Sequence, residues 1–253
     1  MRVSRLVLSF LLILASSLRL NSQQSTTAPQ TDPQAILYGC ATTMGASSAE
    51  LPIIAQGVLT VGAVSESQTI VIKTLGPRLF RQDQTGTSGV ETWVVNNGIG
   101  FRSRANQRED LSSHVTRYFR PDHLPASSCA PDLNRFDVTF EGLQQVLNKP
   151  TYHLRLVAKP TNPRTKSVEA ILSEYHLYID QQTFLVLKTS TFVFSPNIIQ
   201  NRSTWETFYG DYRKVGGVLV PFHIENYLSG QKLRDITFSD VQVGVSLSNA
   251  DFE

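Results

Sequence analysis

Apolar and polar residues alternate along most of the chain from residue 53 onward, in short runs separated by glycine, proline or asparagine. A period of two is typical of strands that bury one face. The links between runs are short, and Asn97-Gly98 is a tight hairpin signal, so the pattern favours an antiparallel meander over parallel units. The predicted strands are residues 53–63, 68–75, 78–82, 90–96, 100–103, 136–141, 151–159, 174–180, 184–194, 204–214, 218–228 and 232–243.

Two segments depart from this period and predict helices. In residues 33–44 the apolar residues recur at helical spacing, Asp32 and Pro33 form a helix start, and Gly45 provides a stop. A second amphipathic helix is predicted within the interruption at residues 107–125. Its apolar positions are Leu111, Val115, Tyr118 and Phe119. The fold class expected from these elements is mainly β with a few helices, an α+β protein.

The alternation also predicts which side chains share a face of the sheet, with one face apolar and the other polar. The apolar set is Tyr152, Leu154, Leu156, Tyr175, Leu177, Ile179, Val220, Phe222, Ile224, Ile236 and Phe238. Two short helices offer little to cover so long an apolar surface. The sheet is therefore expected either to curl and fill its own interior, or to leave a hollow suited to an acyl chain.

The N-terminus has the pattern of a secretory signal. Arg2 and Arg5 precede an apolar run at residues 6–14, and small residues follow it. That run is short for a bilayer span, which needs about 20 residues, so a membrane anchor is the weaker alternative. We expect a cleaved signal at 1–22, a flexible linker at 23–31 and one domain at 32–253. The first cysteine is Cys40, so no lipid-attachment cysteine follows the apolar run.

The charge balance excludes an electrostatic nucleic-acid partner. The chain has 23 Lys and Arg against 21 Asp and Glu, a net charge of +2. Removal of residues 1–22 takes Arg2, Arg5 and Arg19 and no acid, which leaves a nearly neutral domain without the basic stripe that nucleic-acid binding requires.

Export sets the expectation for the two cysteines. In an oxidising compartment Cys40 and Cys129 are predicted to form a disulfide, with two inert thiols as the alternative. A catalytic thiol would need a local signature, and neither Gly39-Cys40-Ala41 nor Ser128-Cys129-Ala130 provides one.

Motifs for catalysis or metal binding are missing from the sequence. The five histidines are not at metal-ligand spacing, and no nucleophile elbow, P-loop or dinucleotide fingerprint is found. We therefore expect no enzyme, no cofactor and no metal. A zinc site built from histidines on several strands, and a hydrolase that uses a carboxylate pair, rank below the non-catalytic hypotheses.

The C-terminal half carries a family resemblance. Residues 212–224 read YRKVGGVLVPFHI, and ITFSDV at 236–241 and ADF at 250–252 follow. Together with YID at 178–180, TFLV at 183–186, QG at 56–57 and IVIK at 70–73, they resemble the periplasmic outer-membrane lipoprotein carriers, the LolA/LolB-like family. Where that family commonly has Asp-Gly, this chain has Gly216-Gly217, which indicates a divergent member.

The resemblance implies a highly curved, incomplete antiparallel β-barrel with short helices as a lid over an apolar cavity that holds acyl chains. Leu111, Val115 and Phe119 are then the expected lid residues, and Arg78 and Arg81 are candidates for the arginine that locks the lid.

Two functional hypotheses follow. In the first, the chain is a periplasmic or secreted monomer that binds lipid or an acylated protein, with an envelope receptor or donor protein as partner, and it does not insert stably into a membrane. In the second, it is a non-catalytic structural or interaction module of the cell envelope whose core is filled by its own side chains.

Overall fold

The computed structural model describes residues 30–46, 51–62, 66–76, 78–105, 107–112, 116, 119–195 and 198–253. The predicted signal at 1–22, most of the linker at 23–31, and the side chains of Val115 and Tyr118 lie outside this set. No helix of the described residues is long and apolar enough to cross a membrane.

Within the part of the chain that the structure describes, a single sheet forms the body of the fold, with two α-helices of eight residues or more and two short 3-10 helices beside it. The α-helices are α1 (Pro33–Met44) and α2 (Lys166–Ser173), and the 3-10 helices are Pro125–Cys129 and Asn249–Phe252. The strands are β1 (Pro52–Val61), β2 (Glu66–Leu75), β3 (Leu79–Gly86), β4 (Gly89–Asn96), β5 (Ile99–Arg104), β6 (Gln107–Asp110), β7 (Phe136–Val146), β8 (Lys149–Ala158), β9 (Tyr175–Asp180), β10 (Val186–Ser195), β11 (Ile198–Val215), β12 (Val218–Leu228) and β13 (Gln231–Val243).

The sheet is antiparallel and open. Its thirteen strands run in the order β6-β5-β4-β3-β2-β1-β13-β12-β11-β10-β9-β8-β7, so β6 and β7 are the two edges. The pairing of β1 with β13 joins the two blocks of strands, and its register shifts at Gln56/Gly57. A Cβ at Gly57 would lie 2.2 Å from the Thr237 carbonyl oxygen, so this close approach requires glycine. The predicted α+β class and incomplete barrel are confirmed.

Helix α1 forms where the sequence predicted it. Asp32 accepts a hydrogen bond from the Gln34 backbone N–H at 3.0 Å, and Pro33 occupies the first turn. Gly45 ends the helix in the left-handed conformation, at φ 72°. The buried side of α1 faces the sheet and consists of Ile36, Leu37, Cys40 and Met44.

The predicted second helix is partly wrong. Residues 107–110 form β6, which pairs with β5 in the register Arg104↔Gln107. All four residues of β6 are polar and exposed, so the local pattern has no signal for a strand and the backbone pairing decides. Further along, Thr116 is helical and its N–H donates to the Ser112 carbonyl at 3.3 Å.

Helix α2 was not predicted, because residues 160–173 were assigned no element. Half of its eight residues are apolar, but its two buried residues are the polar Glu169 and Ser173. The Glu169 carboxylate accepts hydrogen bonds from the hydroxyl groups of Thr161 and Thr165, at 2.9 and 3.0 Å. These bonds hold the preceding loop on the first turns of the helix.

Candidate ligand-binding site

The eleven side chains predicted to share an apolar face all lie in one buried cluster. They are Tyr152, Leu154, Leu156, Tyr175, Leu177, Ile179, Val220, Phe222, Ile224, Ile236 and Phe238. None of them is more than 8% exposed, and α1 packs against them through Ile36 and Met44. The alternation in the sequence therefore identified residues that share one face of the sheet. We call this face the inner face.

Two helical segments cover the inner face, and we call α1 together with the 3-10 helix Pro125–Cys129 the cover. The disulfide between Cys40 and Cys129 joins them, as predicted, and both cysteines are buried. Of the predicted lid residues, Leu111 and Phe119 pack against the same apolar cluster, and Val115 lies outside the described residues. The Phe119 ring centroid is 4.7 Å from that of Phe80 on β3.

The inner face is not apolar throughout, and the sequence analysis missed its polar zone. Glu91 on β4 and Arg102 on β5 form an ion pair at 2.8 Å, and the Trp93 indole N–H donates to Glu91 at 2.6 Å. Trp93 is directly opposite Gln82 in the sheet, and Val95, two residues on, is opposite the core residue Phe80, so these side chains share the inner face. The expected continuous apolar face holds on β8, β9 and β12 and fails on β4 and β5.

A pocket of about 310 Å³ lies in this polar zone. Its lining includes Gln84, Glu91, Arg102, Arg104 and Arg234. Burial on its own would raise the pKa of Glu91, but hydrogen bonds from Arg102 and Trp93 outweigh that effect and lower it. The alternation in the sequence indicates that Glu91, Trp93 and Val95 share one face of β4. Whether that face is the inner face depends on how β4 pairs with β3.

Asp122 lies in the segment just before the cover's 3-10 helix, at the boundary between the apolar cluster and the polar zone of the inner face. Its carboxylate accepts a hydrogen bond from the Asn226 amide at 3.3 Å, and the same amide donates to the Thr207 hydroxyl at 2.9 Å. Burial raises the pKa of Asp122 to about 6, although the positive charge of Arg234 opposes this shift. The protonated, neutral form of Asp122 is therefore favoured only below about pH 6.

We expect Asp122→Asn to raise the free energy of unfolding by about 1 to 3 kcal/mol at about pH 7. The pKa of the folded-state carboxyl lies near 6, above its usual 3.8, so Asp122 stabilises the fold when protonated and this contribution is lost as the pH rises through 6. Urea unfolding of both proteins between about pH 4 and 8 checks this. The difference between them should be small near pH 4 and grow as the pH rises; a constant difference would contradict it.

A larger cavity of about 600 Å³ lies between the ends of β3–β5 and the segment that leads into β7, and we call it the mouth cavity. Its walls come from the ends of β3, β4 and β5 on one side and from the residues around the start of β7 on the other. The lining residues include Val95, Phe119 and Phe136 together with Arg78, Arg120 and Arg135.

On the opposite side of the sheet, which we call the outer face, histidines contact one another and a carboxylate. His153 Nε2 lies 2.8 Å from His176 Nδ1, and His176 Nε2 lies 3.1 Å from a Glu174 oxygen. Arg155 pairs with the same carboxylate at 3.1 Å. Burial lowers the pKa of His153 to about 4, and the ring stacks on Tyr178 at 4.5 Å. This network is satisfied within the sheet and faces away from the cover.

Three potential metal ligands also meet on the outer face. Ligand atoms of His223, Glu225 and Asp235 lie within 4.8 Å of one another. The Lys232 ammonium group contacts both carboxylates, so a bound cation would have to displace it. The cluster is therefore a local ion-pair network.

Comparisons with solved structures identify the fold. The chain superimposes on a LolA superfamily protein from Nitrosomonas europaea with a TM-score of 0.55 and 12% sequence identity. The superposition covers 88% of this chain and 98% of that protein. A domain from Vibrio parahaemolyticus assigned to outer membrane lipoprotein sorting gives 10% identity, 88% and 97% coverage and a TM-score of 0.56. A DUF1329 family protein from Desulfovibrio piger gives 17% identity, 88% and 98% coverage and a TM-score of 0.56.

The chain therefore has a LolA-like fold over most of its length. This confirms, for the fold, the resemblance found in the sequence. No family model and no curated protein matches the sequence. At identities of 10–17% the shared architecture carries over and the function of those proteins does not follow from it.

Proposed function

We propose that this chain is an exported, non-catalytic protein that binds the acyl chain of a lipid or lipoprotein on its inner face, beneath the cover, as a periplasmic carrier or chaperone. The observation that carries the proposal is one apolar cluster on the inner face of an open sheet, closed over by two short helical segments. Leu154, Leu177 and Phe222, three of the proposed ligand residues, belong to that cluster. The LolA-like fold supports the same class of ligand.

Binding would draw on the hydrophobic effect. Each CH₂ group removed from water contributes about 0.8 kcal/mol, so an acyl chain can offset a considerable cost of displacing the cover. The eleven inner-face side chains pack on one another and on α1. The cover must therefore move to admit a chain, and because the disulfide links α1 to the 3-10 helix, we expect the two segments to move together.

The second hypothesis is a structural or interaction module of the cell envelope. The observation that favours it is the same dense packing, since Leu154, Leu156, Leu177 and Ile179 are each 0% exposed. In that case the inner face is an ordinary core and no ligand enters. The two hypotheses differ in whether an acyl chain competes with the cover for the inner face.

A pair of matched leucine variants tests the carrier hypothesis. Leu154 lies in the inner-face cluster, and Leu187 lies in a separate outer-face cluster with Val146 and Tyr178. Both are buried, so Leu→Ala should destabilise each protein by about 2 to 5 kcal/mol. Only Leu154→Ala makes room on the inner face, and we expect it alone to raise the affinity for cis-parinaric acid, measured by fluorescence titration.

Native mass spectrometry of the protein isolated from its own envelope without detergent provides the second measurement. The carrier hypothesis predicts a bound lipid. A protein mass without lipid, combined with no uptake of cis-parinaric acid by the wild-type chain, would reject it and leave the structural module. Equal changes in affinity for Leu154→Ala and Leu187→Ala would show that the probe does not bind on the inner face.

A further inference from the structure

The mouth cavity has an unusual concentration of arginine. Arg78 precedes β3, Arg120 precedes the cover's 3-10 helix, and Arg135 precedes β7, yet all three line the same space of about 600 Å³. Arg78 lies on the β3 side of the cavity, and Arg135 lies on the β7 side. The cavity therefore has three positive charges in its lining although the chain as a whole has a net charge of only +2.

Two of these guanidinium groups meet at one aromatic ring. The Arg120 guanidinium carbon lies 4.9 Å from the Phe136 ring centroid and 4.5 Å from that of Tyr175, and the Arg135 carbon lies 6.0 Å from the Phe136 centroid. Arg120 is partly buried. Burial and the nearby charge of Arg135 both lower the pKa of Arg120, because each disfavours the charged guanidinium.

Acidic partners are scarce in the mouth cavity. No ion pair to Arg78, Arg120 or Arg135 is formed by the described residues, whereas Arg81, Arg102 and Arg155 each pair with a carboxylate. Asp132 is the one acidic residue among the described lining residues, and its carboxylate accepts the Asn134 backbone N–H at 3.0 Å. A partly buried guanidinium without a counter-ion is costly, and an oxyanion that accepts its hydrogen bonds offsets that cost.

The apolar wall of the mouth cavity continues into the inner face. Phe119 lines the cavity and also packs against the apolar cluster. Tyr175, on whose ring Arg120 lies, is one of the predicted acyl-chain residues. An amphiphile with its chain on the inner face would therefore place its polar end beside Arg120.

We infer that the mouth cavity binds the negatively charged headgroup, a carboxylate or phosphate, of the amphiphile whose acyl chain occupies the inner face. The inference rests on the proposed function and narrows its ligand class from any acyl chain to an anionic lipid. Arg120 is the inner contact, and Arg78 and Arg135 are the outer ones.

A charged probe and its neutral ester test the inference. The ligands are cis-parinaric acid and its methyl ester at about pH 8, where the carboxyl group is ionised, and affinity is measured by fluorescence titration. Wild-type protein should prefer the acid. Arg120→Gln should weaken acid binding by about tenfold or more and leave ester binding within about twofold, since hydrogen bonds to charged groups contribute at least that much.

Two further variants control for loss of folding and for a change in net charge. Arg78 and Arg135 are exposed, so the double variant Arg78→Gln/Arg135→Gln should fold normally and also lose affinity for the acid. Arg164→Gln removes the same charge from an exposed loop before α2 and should bind both probes as the wild type does. If Arg164→Gln loses as much affinity for the acid as Arg120→Gln does, the effect comes from net charge alone and the inference is overturned.

The outcomes separate this inference from the proposed function. Equal affinity of wild-type protein for acid and ester would overturn the headgroup site and leave acyl-chain binding intact. Failure of both probes to bind would overturn both. Inorganic phosphate alone should bind weakly and compete poorly with the acid; if it binds as tightly as the acid, the mouth cavity is a site for a free anion and the link to the acyl chain is wrong.

Discussion

Replacing Cys40 and Cys129 by alanine is expected to lower the free energy of unfolding by about 4 to 5 kcal/mol. The disulfide joins residues separated by 89 positions, so it removes a large amount of conformational freedom from the unfolded chain. A loss of this size is a large part of the total stability of a typical domain. Urea unfolding of the oxidised wild type and of the double-alanine variant measures it.

Reduced wild-type protein separates the cross-link from the packing of the sulfur atoms. Both cysteines are buried in the apolar cluster, so alanine also removes some contacts there. If the cross-link dominates, the reduced wild type and the double-alanine variant should have similar stabilities, both far below the oxidised protein. Stabilities of the oxidised and reduced wild type within about 1 kcal/mol of each other would contradict the loop argument.

The parts of the fold that the sequence predicted are those with a local physical signal. Strands β8, β9 and β12 alternate apolar and polar residues over much of their length, and each buries the side chains that the alternation assigned to the apolar face. Helix α1 was predicted from Asp32, Pro33 and Gly45, whose roles are set by the backbone of a helix end. The disulfide followed from the expectation of export and an isolated cysteine pair, and it is present.

The parts that were missed depend on contacts between distant segments. Strand β6 has four exposed polar residues and exists because its backbone pairs with β5. Glu91 and Arg102 have the composition of an exposed strand surface, yet the pairing of β4 with β3 and β5 places them on the inner face. Which face of a strand is covered is a property of the sheet, so local alternation could not identify the polar zone.

The polar zone limits the extent of the apolar part of the inner face. Eleven apolar side chains occupy one part of it, and Asp122, Asn226 and Arg234 stand where that part ends. Polar groups at such a boundary limit how far an acyl chain can extend, because an apolar chain cannot replace their hydrogen bonds. If the protein binds an acyl chain as proposed, the apolar part of the inner face would therefore set the length of chain that fits.

Leu177→Asp is expected to unfold the protein, with a loss of more than about 5 kcal/mol, because it places an unpaired charge in an apolar environment. Leu177 is 0% exposed and lies on β9 opposite Leu154 of β8 and Thr189 of β10. Circular dichroism and urea unfolding of the purified variant provide the measurement.

Leu147→Asp is the matched control, since it makes the same substitution where no burial is involved. Leu147 is 61% exposed in the turn between β7 and β8 and has φ 51°, a conformation that aspartate tolerates better than leucine. Its stability should equal or slightly exceed that of the wild type. A folded Leu177→Asp protein that has lost only the binding of cis-parinaric acid would mean that water enters the inner face, and the ligand would then enter an open hollow without displacing the cover.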